Sequence, residues 1–504
     1  MNDPQLIDHH TTLRQHPLDI FRFSLLSIML ICAPLFWGGN RPLPLMVLEF
    51  AAIALLVCTF LRESAWQGIS RSLKIAILAI LVFPLLYLLP VPVSLFEQLP
   101  GRSEFGDVLT LVEQQNGWRS ISVYAIASEY SWLALLVPMA VFVTVLTLPH
   151  EYRKHLIKIV LVMASFQAAL GLIQYGDGAE SIFRLGNPDY LDSAVGTYPN
   201  RNHLAGLLEM ALPLALGLFA ASLGRRRRSG SWRKDVVHFS QFRLNAAMVY
   251  GCIALVILLG LVFTRSRAGL ALAMLAILLC LIVYARRLGG HSSISVVGSF
   301  AVVGGGLAAL VGLAPVFQRF TLQDPLTDVR WNLFATSMEA VGKYFPLGSG
   351  PGTYSHVYPQ FQPIDLSTRF INHAHNDYIE WLVEGGLIAA LLILFFFVLY
   401  LFQWTKVWTK QQWSKYRFVQ VGAGISLLLI MLHSVVDFNL RIPANMMYFA
   451  LLAAIFFSYE PEEKEEVIRP VRNRVKQKTS TIDESLNTPA LKPRDTSVKN
   501  PFEE

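Results

Sequence analysis

Ionisable and amide side chains crowd into four short stretches, each at the edge of an apolar run. The densest is "RFINHAHNDYIEWLVEGGL", which holds Arg369, His373, His375, Asn376, Asp377 and Glu380. The others are "YPNRNHLAG" with Arg201, Asn202 and His203, "FTRSRAGL" with Arg265 and Arg267, and "DFNLRIP" with Asp437 and Arg441. Imidazole is the side chain best suited to general-base work near neutral pH. The fixed fork of an arginine suits phosphate or pyrophosphate. Together they suggest removal of a proton from a hydroxyl beside a group whose phosphate charge needs neutralising. Asp377 and Glu380 have the i, i+3 spacing of a capping box, with Asp377 as N-cap. His375 then stands just ahead of a helix whose positive end disfavours imidazolium and keeps the ring available as a base. A structural histidine and headgroup-anchored arginines are the plain alternatives. His373 and His375 have a spacing that could hold a metal, but no third ligand is evident beyond His356 as a candidate. No metal and no cofactor are therefore expected. "GSGPGTY" (Gly348–Tyr354) lacks the Gly-Lys-Ser/Thr ending of a nucleotide loop and reads as a flexible turn.

The elements that position these groups are apolar. Of 504 residues, 54% are hydrophobic and 15% charged, and the mean hydropathy is +0.46. Soluble domains carry about a quarter charged residues. Runs of roughly 16–22 apolar residues recur, near the length of a bilayer-crossing helix. The chain reads as an all-α polytopic membrane protein of about twelve spans. These are centred on roughly 21–37, 43–61, 73–89, 131–148, 156–174, 203–223, 245–263, 268–284, 294–313, 378–402, 418–436 and 442–458. The first run has no small-residue cleavage signal and is read as a span rather than a signal peptide. All four cysteines lie inside apolar runs, where they pack as small apolar residues. The net charge of +7 comes from Lys and Arg in short loops. That pattern reflects topology and not nucleic-acid binding, and it puts both termini in the cytoplasm.

Three segments face outward and exceed ordinary connectors: 90–130, 174–202 and 315–376. Within the third, Trp331, Phe334, Met338 and Val341 recur at near-helical spacing behind Asp328, a plausible N-cap. An amphipathic helix on the outer membrane face is expected there. The organisation is a cytoplasmic N-terminus at 1–19, a transmembrane domain at 20–458 with its large outer loop at 315–376, and a disordered cytoplasmic tail at 459–504. Ion-coupled transporters place carboxylates or broken helices near the midplane. Here the spans are nearly free of charge at that depth, Glu209 being the main exception.

"NRNHLAG", "TRSRAGL", "RWNLFATSMEAVGKYFPLGSGPGTY" and "HAHNDYIEWLVEGGLIAAL", in this order, resemble the O-antigen ligase and polymerase family. The resemblance covers roughly Asn187 to Leu391. It implies a GT-C-type helical fold and a metal-independent, inverting glycosyltransferase of the bacterial inner membrane with its site on the periplasmic side. The implied donor is a glycan on undecaprenyl pyrophosphate, and the implied acceptor is another glycan or lipid A–core. The lipid bilayer and polysaccharide-assembly proteins are the other implied partners. By the same resemblance His375 is the catalytic base, and Arg201, Arg267 and Arg265 bind the pyrophosphate. Asn202, His203, Asn376 and Asp377 have supporting roles. Arg265 departs from the family's usual small residue, and His373 is not part of the pattern. A small-anion transporter or a non-catalytic scaffold in polysaccharide export is the competing reading.

Overall fold

A computed structural model describes residues 16–62, 66–113, 116–184, 190–224, 246–288, 329–366, 368–409 and 413–459. Its helices are α1 (Pro17–Leu35), α2 (Pro42–Phe60), α3 (Arg71–Tyr87), α4 (Ala125–Thr147), α5 (His150–Asp177) and α6 (Arg201–Gly224). They continue with α7 (Ala246–Phe263), α8 (Arg267–Leu288), α9 (Val329–Tyr344), α10 (Asp377–Trp408), α11 (Lys415–His433) and α12 (Pro443–Phe457). Each expected span within the described residues coincides with one of these helices. The span at 294–313, Asp328 and the tail from 460 lie outside the described residues. Among the described residues nine helices are long and apolar enough to cross a membrane. α3 and α12 are shorter, with 17 and 15 residues. The protein is an all-α polytopic membrane protein.

Local chemistry sets several helix starts. Ser70 and Ser414 cap α3 and α11 by accepting from the N–H groups of Leu73 and Arg417 at 3.4 and 3.1 Å. Prolines open α1, α2 and α12, where the missing N–H costs nothing. Packing sets the rest. α6 is the central helix, 94% of its apolar window being buried, and α11 beside it is 89% buried. Their contact depends on residues without side chains. A methyl on Gly217 of α6 would lie 2.8 Å from the Phe418 carbonyl oxygen, and one on Gly422 of α11 2.7 Å from that of Pro213. Such close backbone approach is how helices associate in lipid, where apolar burial alone gives little drive.

The segment between α3 and α4 forms a small outer layer. β1 (Pro90–Pro92) pairs antiparallel with β2 (Trp118–Ser120), flanking a helix at Ser103–Leu111. Arg102 is fully buried and donates to the carbonyls of Pro100, Ile121 and Gly348 at 2.8, 2.9 and 2.8 Å. Burial pushes its guanidinium down to about 10, still charged at neutral pH. The clip ties this layer to the loop after α9. α9 packs on α10 through Leu333, Ala340, Val341 and Tyr344, which meet Tyr354, Val357, Tyr358 and Val383. The stripe read from the sequence is only partly the buried one. Val341 faces inward, whereas Trp331 and Met338 are about half exposed. The inward face also includes Ser337, whose hydroxyl bonds that of Tyr354 at 2.7 Å, a polar contact that hydrophobic periodicity does not register.

α10 is broken at Gly386, whose φ of 51° and ψ of −137° are open to glycine and to almost nothing else. The loop Pro346–Gly350 fills the gap with backbone. The N–H groups of Ser349 and Gly350 donate to the carbonyls of Val383 and Glu384 at 2.9 and 2.8 Å, and Leu387 N–H donates to Pro346 at 2.8 Å. The Tyr87 hydroxyl donates to the Gly385 carbonyl at 3.1 Å. "GSGPGTY" is therefore a buried clamp and not a flexible turn. Backbone groups freed inside a membrane helix need partners, and this loop supplies them.

Candidate functional site

α6, α8 and α10 begin at the same end of the bundle, where α11 gives way to α12 through residues 434–442. The start of α10 is capped by Asn376, whose Oδ1 accepts from the N–H groups of Tyr378 and Ile379 at 3.0 and 3.1 Å. This corrects the expectation that Asp377 is the N-cap with Glu380 closing a capping box. Asp377 is freed for tertiary contacts. Its N–H donates to Ser434 O at 2.9 Å and its Oδ2 accepts from Leu440 N–H at 3.2 Å. Tyr378 adds a hydroxyl bond to Met431 O at 2.8 Å. These bonds fix the chain at His375 against the turn that carries Asp437.

His375 has a φ of 50°, in the left-handed region that a non-glycine residue enters at some cost. Its side chain is 31% exposed, yet Nδ1 is buried and lies 3.5 Å from Asp437 Oδ1. That is an ion-pair approach rather than a formed hydrogen bond. Asp437 is fully buried, and its Oδ2 accepts from Asn202 Nδ2 at 2.5 Å and Arg330 Nη2 at 3.3 Å. Arg330 also donates to Val436 O at 2.6 Å. Burial opposes charge on Asp437. The facing His375 ring and the Arg330 guanidinium outweigh it and hold the carboxyl well below the usual carboxylate range.

One carboxylate thus gathers α6 through Asn202, α9 through Arg330 and the approach to α10 through His375. Phe438 adds a second hub. The ring of His373 stacks on it at 4.4 Å, and those of His203 and His375 meet it edge-on at 4.8 Å. His203 is buried, with neither ring nitrogen hydrogen-bonded among the described residues.

Beside this lies a second charged group. Arg441 meets Glu380 at 3.3 Å and Glu384 at 2.9 Å, and Glu380 also holds His373 Nδ1 and Ala374 N–H at 2.9 Å each. Glu384 accepts from Tyr354 N–H at 3.2 Å. Burial would lower the Arg441 guanidinium, but its three neighbouring carboxylates raise it above the ordinary arginine value. Deeper in the bundle, Glu209 pairs with His433 Nδ1 at 3.0 Å, both fully buried.

Of the residues expected in the site, His375, Asn376, Asp377, Asn202 and His203 come together around Asp437 and Phe438. Arg201 is the first residue of α6, next to Asn202, with its guanidinium 5.1 Å from the Tyr190 ring centroid. Arg267 is the first residue of α8. Gly269 brings that helix start against α6, since a methyl there would lie 2.7 Å from Ala205 Cβ. Arg265 has a φ of 56° and its Nη1 donates to Asp192 Oδ2 at 2.7 Å, which links it to the loop that precedes α6. Sequence reasoning gave no role to Arg330, Glu380 and Glu384 as ion-pair partners. Signals existed. Arg330 is a cation in the first turn of a helix, where the dipole disfavours it. Glu380 and Glu384 are carboxylates one turn apart in an apolar span, and such groups rarely lie there unpaired. Nothing in the sequence marks Phe438.

Fold and site together define a multi-pass membrane protein with a buried-carboxylate, partly exposed-imidazole centre at one end of its bundle. Residues 252–394 match the family model described as O-antigen ligase, a similarity that covers less than half of the chain. The matched segment includes Arg265, Arg267, Arg330 and His375 and ends before Asp437. No curated protein sequence matches the chain. The family supports glycosyltransferase-like activity of the ligase or polymerase type in a bacterial membrane.

Proposed function

We propose that the protein is an inner-membrane glycosyltransferase that moves a glycan from undecaprenyl pyrophosphate to an acceptor sugar hydroxyl on the periplasmic side. The observation that carries this reading is the meeting of His375 and Asn202 on the single buried carboxylate of Asp437. With Nδ1 turned to Asp437, the other ring nitrogen of His375 is left for the acceptor. It takes the hydroxyl proton as the oxygen bonds to the anomeric carbon. The bond from that carbon to the pyrophosphate oxygen breaks, and its electron pair leaves with the pyrophosphate. Asp437 stabilises the imidazolium that forms. Attack opposite the leaving group inverts the anomeric centre. Arg201, Arg267 and the positive ends of α6 and α8 neutralise the leaving charge without a metal. Arg265, bound to Asp192, holds the outer loop beside them.

Vesicles containing the purified protein, a lipid-pyrophosphate glycan and candidate acceptors test this directly. Glycan transfer is expected, and solute flux without transfer would favour the transporter reading. In cells, loss of glycan attachment to lipid A–core on deletion marks a ligase, and single repeat units mark a polymerase.

Two substitutions refine the site. Asp437→Asn removes the charge facing His375 and Arg330, and a hydrogen bond to a charged group is worth about 1.5–3 kcal/mol. Turnover is expected to fall roughly 10–100-fold in folded protein; unchanged turnover makes Asp437 a structural latch only. The depressed carboxyl contributes its full stability above the unfolded value of about 3.9, and that contribution is lost progressively as pH falls from there toward the depressed folded value. An acid limb in the rate profile of the wild-type protein is therefore expected to come from a group other than Asp437, and its disappearance in Asp437→Asn would overturn that. Arg267→Lys keeps the charge and loses the fork, and transfer is expected to drop about tenfold or more. Wild-type rates in that variant would make Arg267 a headgroup anchor.

A further inference from the structure

At the opposite end of the bundle, the N-termini of α5 and α11 come together and carry an unusual concentration of buried positive charge. Arg153, in the first turns of α5, is 7% exposed; its Nε is buried without a hydrogen-bond partner, and its guanidinium forms no ion pair among the described residues. Its guanidinium carbon lies 5.9 Å from the ring centroid of Tyr416 on α11. His150, the first residue of α5, packs edge-on against the same ring at 4.3 Å. Arg417, 5% exposed, donates Nη1 to Gln420 Oε1 at 2.5 Å as one of its contacts. Lys154 and Lys415 stand at the same helix starts.

Among the described residues, the nearby acids are engaged. Glu151 pairs outward with Lys154 at 3.0 Å with its side chain 73% exposed, and Asp19 is held by Arg22 at 2.8 Å and Arg62 at 3.5 Å. A largely enclosed guanidinium with no ion pair among the described residues favours an anion beside it. Two positive helix ends beside it strengthen that preference.

We propose that this end of the bundle binds the phosphate of an anionic lipid headgroup, with Arg153 as its principal donor and His150, Arg417 and the two helix N-termini around it. The position favours a lipid over a free anion. The residues lie on the terminal turns of two spans, where headgroups sit. Trp413, 5.3 Å from the Phe418 ring, and partly exposed Trp408 form an aromatic rim of the kind found at membrane interfaces. The site is independent of the glycan-transfer reading, because none of its residues belongs to the His375 cluster.

Native mass spectrometry of the full-length protein in detergent, titrated with phosphatidylglycerol or phosphatidylcholine, tests the proposal. Wild-type protein is expected to retain phosphatidylglycerol preferentially. Arg153→Gln should weaken that retention roughly ten- to a hundredfold and leave phosphatidylcholine unaffected. Arg153→Lys guards against misfolding: it keeps the charge and the packed stem, and intermediate retention is expected. Equal retention of phosphatidylglycerol by wild type, Arg153→Lys and Arg153→Gln overturns the site. Inorganic phosphate that displaces phosphatidylglycerol at modest concentration overturns the lipid assignment in favour of a free-anion site. No preference between the two lipids in the wild-type full chain also overturns the proposal.

Discussion

His375→Ala is expected to leave a folded, membrane-inserted protein whose glycan transfer is slower by on the order of 10²–10⁴-fold. The size follows from the role. A general base lowers the barrier only in the step where the proton moves, so donor binding should survive while turnover collapses. The structure explains why folding should be spared. The His375 ring is partly exposed and makes no formed hydrogen bond through Nδ1. The backbone it occupies is held by its neighbours: Asn376 caps α10, and Asp377 and Tyr378 bond to residues 431–440. Removing the imidazole leaves those bonds intact. The measurement is single-turnover transfer with saturating donor, alongside donor binding by the same variant. Wild-type turnover would remove His375 from the chemistry and shift attention to His373, which shares the Phe438 ring.

The second large effect is on folding. Gly386→Ala is expected to cost about 3 kcal/mol or more and to yield little well-folded protein. Two penalties add. The backbone there is nearly closed to any residue with a Cβ, and the added methyl would sit 2.1 Å from the Pro346 carbonyl oxygen. Relief requires opening the clamp, which would free the carbonyls of Val383 and Glu384 inside an apolar span. Gly342→Ala in α9 is the matched control. Nothing lies within 4 Å of its methyl, and a helical alanine there should be neutral or stabilising by about 0.4–1 kcal/mol. Thermal unfolding of both variants in one detergent decides the matter; equal midpoints would mean that the break in α10 is not enforced by residue 386.

Much of this architecture was legible before any coordinates. Apolar run length and Pro or Ser starts located the helices, because a membrane helix must satisfy its own backbone and cannot hide its hydropathy. The polar residues that converge were legible as residue types at span mouths: His375, Asn202 and Asp437 were each singled out. What joins them was not. Asn202 and Asp437 are 235 positions apart, and Arg330 and Asp437 107. No local pattern reports contacts of that separation. The N-cap was misplaced by one residue for a related reason. Asn376 and Asp377 are both good caps in isolation, and the tie was decided by Ser434 and Leu440 claiming Asp377. The clamp at Gly348–Gly350 was misread because glycine-rich sequence looks the same whether it is loose or wedged into a broken helix. Glu209 stood out as a lone mid-span carboxylate; its partner His433, at the end of α11, could be found only in three dimensions.

The near-total enclosure of α6 separates two kinds of adaptation in this molecule. A helix that touches almost no lipid is indifferent to the thickness or composition of the bilayer, so the depth of Arg201 and Asn202 is set by the helices packed around it. α10, with only 22% of its apolar window covered, is the opposite case, since its outer turns ride in acyl chains. Moving the protein between thin and thick membranes should therefore tilt the periphery while the centre keeps its register. If the proposed lipid-linked donor is the substrate, its tail is expected to lie against the lipid-facing helices, with its head turned inward.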